Sequence, residues 1–85
     1  MLNFNPIRLT ELGEMLIDDP KLKFTEKLKL DGCLGIHAFC GGLIFIRRVS
    51  IAHKAIFCLD CCLRIIVPAE VVTYDDLRKY LKGNN

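Results

Sequence analysis

The sequence lacks several features that identify common classes of protein. It has no tryptophan, no low-complexity tract and no repeat longer than two short loops. Its formal charge of +2 is too small to indicate nucleic-acid binding by itself. The first ten residues lack the basic segment and apolar core of a secretory signal. These absences leave an ordinary globular composition, with 52% hydrophobic and 8% aromatic residues.

Long apolar runs are missing as well. The longest stretch without a charged residue, 32–46, has 15 residues and is interrupted by glycines. A helix that crosses a membrane needs about 17 to 25 apolar residues. We therefore expect no membrane span and a cytoplasmic location, where thiols stay reduced.

The chain's length and its cysteines together favour a metal site. Its 85 residues predict a single domain, 1–85, with a modest core that needs a metal, disulfides or a partner. Five cysteines are an odd number for a disulfide framework. In a reducing compartment, paired cysteines bind metal more often than they form disulfides.

The ends of the chain predict helices. Asn5 and Pro6 favour a helix start, so we expect an N-terminal helical segment, 1–20. Apolar residues then recur at helical spacing: Leu9, Leu12, Met15 and Leu16. Thr73 and Asp76 resemble a capping box, which predicts a C-terminal helix, 73–83.

The centre of the chain predicts short strands separated by turns. Residues 21–31 alternate between apolar and polar, which favours a half-buried strand, with a short helix as the alternative. Residues 43–49, 54–58 and 63–67 are rich in β-branched and aromatic side chains and predict three further strands.

Two pairs of metal-ligand residues share one spacing. Each pair encloses two residues, and 17 residues lie between the pairs, within the range of known zinc sites. A turn of this length brings both donor atoms to one side. Gly41 and Gly42 follow the first pair, where the backbone often needs a positive φ. The predicted zinc ligands are His37, Cys40, Cys58 and Cys61.

These residues resemble the zinc-ribbon family over 30–68. The resemblance implies an α+β fold in which three antiparallel strands carry two metal-binding turns, flanked here by the two predicted helices. The chain departs from the family pattern in two ways. The first ligand is a histidine instead of a cysteine. Cys62 occupies the position after the second turn's ligands that is usually glycine, and a left-handed backbone at that position is costly for any residue with a side chain. Two alternatives stay open: Cys33 in place of His37, and Cys62 in place of Cys61.

Four protein ligands would close the zinc site, which favours a structural role over catalysis. The sequence offers no further acid or base at a telling spacing. Cys58 and Cys61 also match a redox dithiol, but that motif belongs in a βαβ context that this pattern does not provide. We therefore expect that the chain is not an enzyme.

The distribution of charge points to a partner. The stretch from His37 to Pro68 contains four basic side chains and one acidic side chain, which gives it a charge of +3. We expect it to bind nucleic acid or a protein of transcription or translation, although no aromatic residue is evident among the basic ones to stack bases. The predicted contacts are Arg47, Arg48, His53, Lys54 and Arg64.

The alternative is a protein-interaction adaptor or small regulator that does not bind nucleic acid. Residues 43–46 and 65–67 are more apolar than one buried sheet face requires. Such patches on a small domain tend to mark partners, and they also suggest a homodimer formed through these strands.

Overall fold

A computed structural model describes residues 7–17 and 21–82 of the chain. These residues form a curled mixed sheet of six strands and one short helix at the C-terminal end. None of the described helices is long and apolar enough to cross a membrane. The elements are β1 Ile7–Leu9, β2 Met15–Ile17, β3 Cys33–His37, β4 Leu43–Arg48, β5 His53–Cys58, β6 Arg64–Pro68 and α1 Tyr74–Lys82.

The spatial order of the strands is β2-β1-β3-β4-β5-β6. β1 pairs in parallel with β3, and all the other neighbours are antiparallel. The prediction of a three-stranded antiparallel zinc ribbon with an N-terminal helix is therefore wrong. The range 30–68 contains four of the six strands, and the first two strands extend the same sheet. That the whole chain is a single domain stays a prediction.

The segment 7–17 forms a hairpin instead of the predicted helix. Ile7 and Leu9 are fully buried at the spacing of two that a strand requires, whereas Leu12, which the predicted helix would bury, is 81% exposed. Gly13 has φ of +84°, and its N–H donates to the carbonyl of Thr10 in the turn. The predicted helix start at Asn5 and its end at 18–20 lie outside the described residues.

Residues 21–31 also differ from prediction, since the described part of the chain has no strand there. Leu28 is buried, but most of its apolar neighbours are half-buried or exposed. The backbone of this segment bonds to the start of α1 instead. Leu28 N–H donates to the Val72 carbonyl, and Tyr74 N–H donates to the Glu26 carbonyl. Residues 21–31 therefore form a loop that packs Leu28 against the core.

The three strands predicted over 43–67 are confirmed in position as β4, β5 and β6. Alternate residues on these strands pack on one face of the sheet. That face joins Leu34 of β3 and the helix residues Tyr74 and Leu77 in one apolar core. Its fully buried members on β4, β5 and β6 are Ile44, Ile46, Ile56 and Val67.

Gly35 makes the parallel pairing of β1 with β3 possible. It lies opposite Ile7 in the register, and a Cβ atom at this position would overlap the Ile7 carbonyl. Any larger residue would force the two strands apart. The edge of the sheet that carries β1 and β2 therefore depends on a glycine whose role appears only in three dimensions.

The predicted C-terminal helix is confirmed as α1, and so is its capping box. Asp76 N–H donates to Oγ1 of Thr73 at 3.1 Å, and Thr73 N–H donates back to the Asp76 carboxylate at 3.1 Å. The Asp76 carboxylate also accepts from Val72 N–H, and these two backbone bonds lower its pKa. The cap fixes the start of the helix over the core.

Candidate metal centre

Two turns at the same end of the sheet bring the predicted ligands together. His37 ends β3 and Cys40 lies in the turn to β4, whereas Cys58 ends β5 and Cys61 lies in the turn to β6. The two turns meet because β4 and β5 are paired in between. A backbone hydrogen bond of 3.1 Å from Leu59 N–H to the Leu43 carbonyl also links them.

The four donor atoms lie within 4.8 Å of one another. Nδ1 of His37 is 3.3 Å from Sγ of Cys40 and 3.2 Å from Sγ of Cys61. The sulfurs of Cys40 and Cys58 are 3.4 Å apart. Around a tetrahedral zinc, bond lengths of about 2.0–2.3 Å would separate such atoms by roughly 3.5–3.8 Å. These three distances are therefore a few tenths of an ångström shorter than those around a bound zinc, and every other pair of donor atoms lies within 4.8 Å.

Backbone N–H groups point at three of the sulfurs. Cys40, Cys58 and Cys61 each accept a hydrogen bond of 3.4 Å from the N–H two residues further along the chain. The donors are Gly42, Asp60 and Leu63. Such bonds favour the ionised form of a thiol, which is the form that binds metal.

The thiols differ in how readily they ionise without a cation. Burial raises the pKa of Cys58, but the Asp60 N–H and the neighbouring thiols outweigh it, and the net pKa lies below the usual value. For Cys40, the Gly42 N–H lowers the pKa, but desolvation and the Cys58 and Cys61 sulfurs raise it to about 11. Three thiolates this close together need a positive ion between them.

His37 is the last residue of β3, and its side chain is buried, with 2% of its surface exposed. With Nδ1 directed at the sulfurs, Nε2 would carry the proton. Nε2 is buried and has no hydrogen-bond partner among the described residues. The second nitrogen of a metal-binding histidine usually donates to an oxygen, so this site lacks a common supporting contact.

The two glycines of the first turn have different roles. Gly41 has φ of +77°, as predicted for a residue after the second ligand, and a Cβ there would meet no atom within 4 Å. A Cβ on Gly42 would lie 2.7 Å from Sγ of Cys58 and 2.8 Å from Cβ of Asp60. Gly42 is therefore the contact surface on which the second turn packs. From the sequence, this glycine is expected because the backbone there often needs a positive φ, whereas in the structure its role is to leave room for the second turn.

The two spare cysteines lie outside the cluster. Cys33 is at the start of β3, and its thiol is 3.5 Å from the Gly35 carbonyl. Cys62 is exposed, and the four-residue cluster does not include it. Among the described residues only Asp31 combines a side chain with positive φ, so Cys62 carries no left-handed strain. The geometry therefore favours Cys61 over Cys62, and His37 over Cys33.

The predicted basic contacts do not form one surface. Arg47 and Arg48 are adjacent in β4, and successive strand residues point to opposite faces. Arg48 donates to the carbonyls of Ser50 and Ile51. Lys54 is only 4% exposed and donates to the Val71 carbonyl, and this burial lowers its pKa. Lys54 is therefore unsuited to contact a phosphate.

The other three predicted contacts lie on the face opposite the core. Arg47 and Arg64 are exposed there, and His53 is exposed beside Ser50. Sequence reasoning missed that Phe45 and Phe57 share this face. The signal was present, because a period of two places 45 and 47 together on β4, with 57 on the same face across the pair.

No protein-family model, curated protein or solved structure matches this chain. The comparisons therefore do not identify the chain as a member of the zinc-ribbon family. The coarser statement holds, since a His/Cys cluster in a small β-rich domain is compatible with a zinc-binding module.

Replacing each glycine of the first turn in its own variant distinguishes the packing role of Gly42 from the backbone conformation that Gly41 allows. Gly42→Ala should weaken metal affinity by about 10- to 100-fold, the range seen when the surroundings of a ligand are disturbed. Gly41→Ala should cost about 1–2 kcal/mol of folding free energy and leave the metal affinity nearly unchanged. Competition with a chromophoric chelator measures the affinity. Equal losses of affinity in the two variants would contradict the packing role of Gly42.

Proposed function

We propose that this chain is a structural zinc module with His37, Cys40, Cys58 and Cys61 as the ligands. The observation that supports this most is the convergence of four donor atoms, from two separate turns, to within 4.8 Å. One imidazole and three thiolates form a common structural zinc set. Soft thiolate donors also exclude magnesium and calcium, which prefer oxygen.

Zinc would act here as a cross-link between two hairpins. His37 and Cys40 belong to the β3–β4 turn, and Cys58 and Cys61 belong to the β5–β6 turn. With all four tetrahedral positions taken by protein atoms, no position is left for a substrate or an activated water. That arrangement favours a stabilising role, and the absence of enzymatic activity stays a prediction.

For the module's partner, we favour nucleic acid or a component of the transcription or translation machinery. Support comes from Arg47 and Arg64, two exposed cations on one sheet face. The adaptor alternative has support of its own. Phe39 is 65% exposed and Leu59 is 58% exposed, one in each metal-binding turn. Exposed apolar side chains on a small domain are typical of protein contacts.

The metal proposal predicts one zinc per chain and loss of the fold on chelation. Structural zinc contributes on the order of 10–16 kcal/mol of apparent binding free energy, more than a domain of this size has to spare. Elemental analysis measures the metal, and circular dichroism follows unfolding by chelator. Cys58→Ser should lose both metal and fold, whereas Cys33→Ser and Cys62→Ser should keep both. A folded, metal-free protein would contradict the proposal.

The partner proposal predicts that nucleic acid purifies with the tagged protein under mild salt and is lost after nuclease treatment. Binding to mixed nucleic acid should weaken as salt rises, because each neutralised phosphate releases condensed counterions. Fluorescence anisotropy at increasing salt measures this dependence. No binding at about 50 mM salt, together with a protein partner that survives nuclease, would select the adaptor instead.

A further inference from the structure

The face of the sheet opposite the core carries a row of aromatic and basic side chains. Phe45 of β4 lies directly opposite Phe57 of β5, and Phe57 lies directly opposite Arg64 of β6. The two rings are stacked, with centroids 6.3 Å apart and planes 28° apart. Directly opposite residues have Cβ atoms about 4.5–5.5 Å apart, so the three side chains form one surface.

Arg47 completes this surface. Its guanidinium carbon lies 5.7 Å from the centroid of the Phe57 ring. Its ion pair with Asp31, at 3.3 Å, joins side chains that are 66% and 70% exposed. Exposed pairs contribute little free energy, so Arg47 is free to exchange this carboxylate for a phosphate. We call Phe45, Phe57, Arg47 and Arg64 the aromatic face.

A groove of about 410 Å³ adjoins three of the four residues of the aromatic face, Phe57, Arg47 and Arg64. Phe57 lines it, the two arginines border it, and the small side chain of Ala55 lies between Arg47 and Ile66 in the register. One wall comes from the turn that follows β5 and includes Cys61 and Leu63. Arg64 is exposed, and no carboxylate pairs with it among the described residues.

We propose that the aromatic face binds the unpaired bases of single-stranded nucleic acid. A base stacks on an aromatic ring or on an arginine plane, and the guanidinium groups neutralise the flanking phosphates. The face supplies both kinds of contact in adjacent register positions. This inference rests on the proposed zinc module, because the metal would fix the turn that forms one wall of the groove.

Base stacking distinguishes this partner from duplex nucleic acid. In a duplex the faces of the bases are stacked on one another, and a protein reaches only phosphates and base edges. Phe57 would then have no flat surface to contact. A single strand exposes the faces of its bases, and stacking is tolerant of sequence because every base has one.

The test uses fluorescein-labelled oligonucleotides of mixed sequence, as single-stranded RNA, single-stranded DNA and duplex DNA, titrated with zinc-loaded protein. Phe57→Leu removes the ring and keeps an apolar side chain, and Arg64→Gln removes one cation. Phe24 and Arg78 form a matched control, since this second pair of ring and guanidinium, 4.6 Å apart, lies elsewhere in the fold. Zinc content and circular dichroism are measured on every sample.

We expect single strands to bind more tightly than duplex, and the RNA and DNA arms to show which sugar is preferred. Phe57→Leu should weaken binding about 5- to 150-fold, the range supplied by one stacked base. Arg64→Gln should lower the log–log salt slope by about 0.7. Phe24→Leu and Arg78→Gln should change neither quantity.

Three results would overturn the inference. Binding that is unchanged by Phe57→Leu and Arg64→Gln would place nucleic acid elsewhere and leave the proposed function standing. If folded, zinc-loaded protein binds none of the three probes, both the inference and the nucleic-acid part of the proposed function are wrong. A dimer in sedimentation that Phe57→Leu dissociates would assign the face to a second copy of the chain.

Discussion

The antiparallel register between β4 and β5 fixes the positions of both the candidate metal site and the aromatic face. Ile44 is opposite Cys58, so the turn after β5 meets the turn before β4 at one end of the sheet. A slip of one residue would rotate Cys58 to the other face and separate its sulfur from Cys40. The same register sets Phe45 against Phe57. The metal centre and the aromatic face are therefore two consequences of a single alignment.

Metal binding would reinforce that register. The two hairpins already meet through Gly42, where a Cβ would collide with the Cys58 sulfur. Three backbone N–H groups also direct their dipoles at the sulfurs. What the protein alone does not offset is desolvation which, with the neighbouring Cys58 and Cys61 sulfurs, raises the pKa of Cys40 to about 11. A divalent cation would stabilise the thiolate form against these effects, and metal binding would give a small apolar core a second source of stability.

Local patterns in the sequence predicted part of the local structure, but they failed over 7–17 and over 21–31. The strands near 43–49, 54–58 and 63–67 and the cluster of four ligands follow from residue type and short spacing, which are properties of neighbouring residues. The N-terminal strands were missed because the spacing of Leu12 fits a helix, although Leu12 is 81% exposed. Nothing nearby in the chain shows that Gly35 must admit Ile7 from a distant segment. Long-range pairing of this kind is invisible to periodicity.

The central claim is that one imidazole and three thiolates bind a single zinc ion. X-ray absorption spectroscopy at the zinc edge counts these ligands directly, because nitrogen and sulfur lie at about 2.0–2.1 Å and 2.3 Å from the metal. The structure predicts one nitrogen and three sulfurs in the wild-type protein, and an unchanged spectrum in Cys33→Ser and Cys62→Ser. A shell of four sulfurs that loses one in either variant would contradict the assignment of His37, Cys40, Cys58 and Cys61.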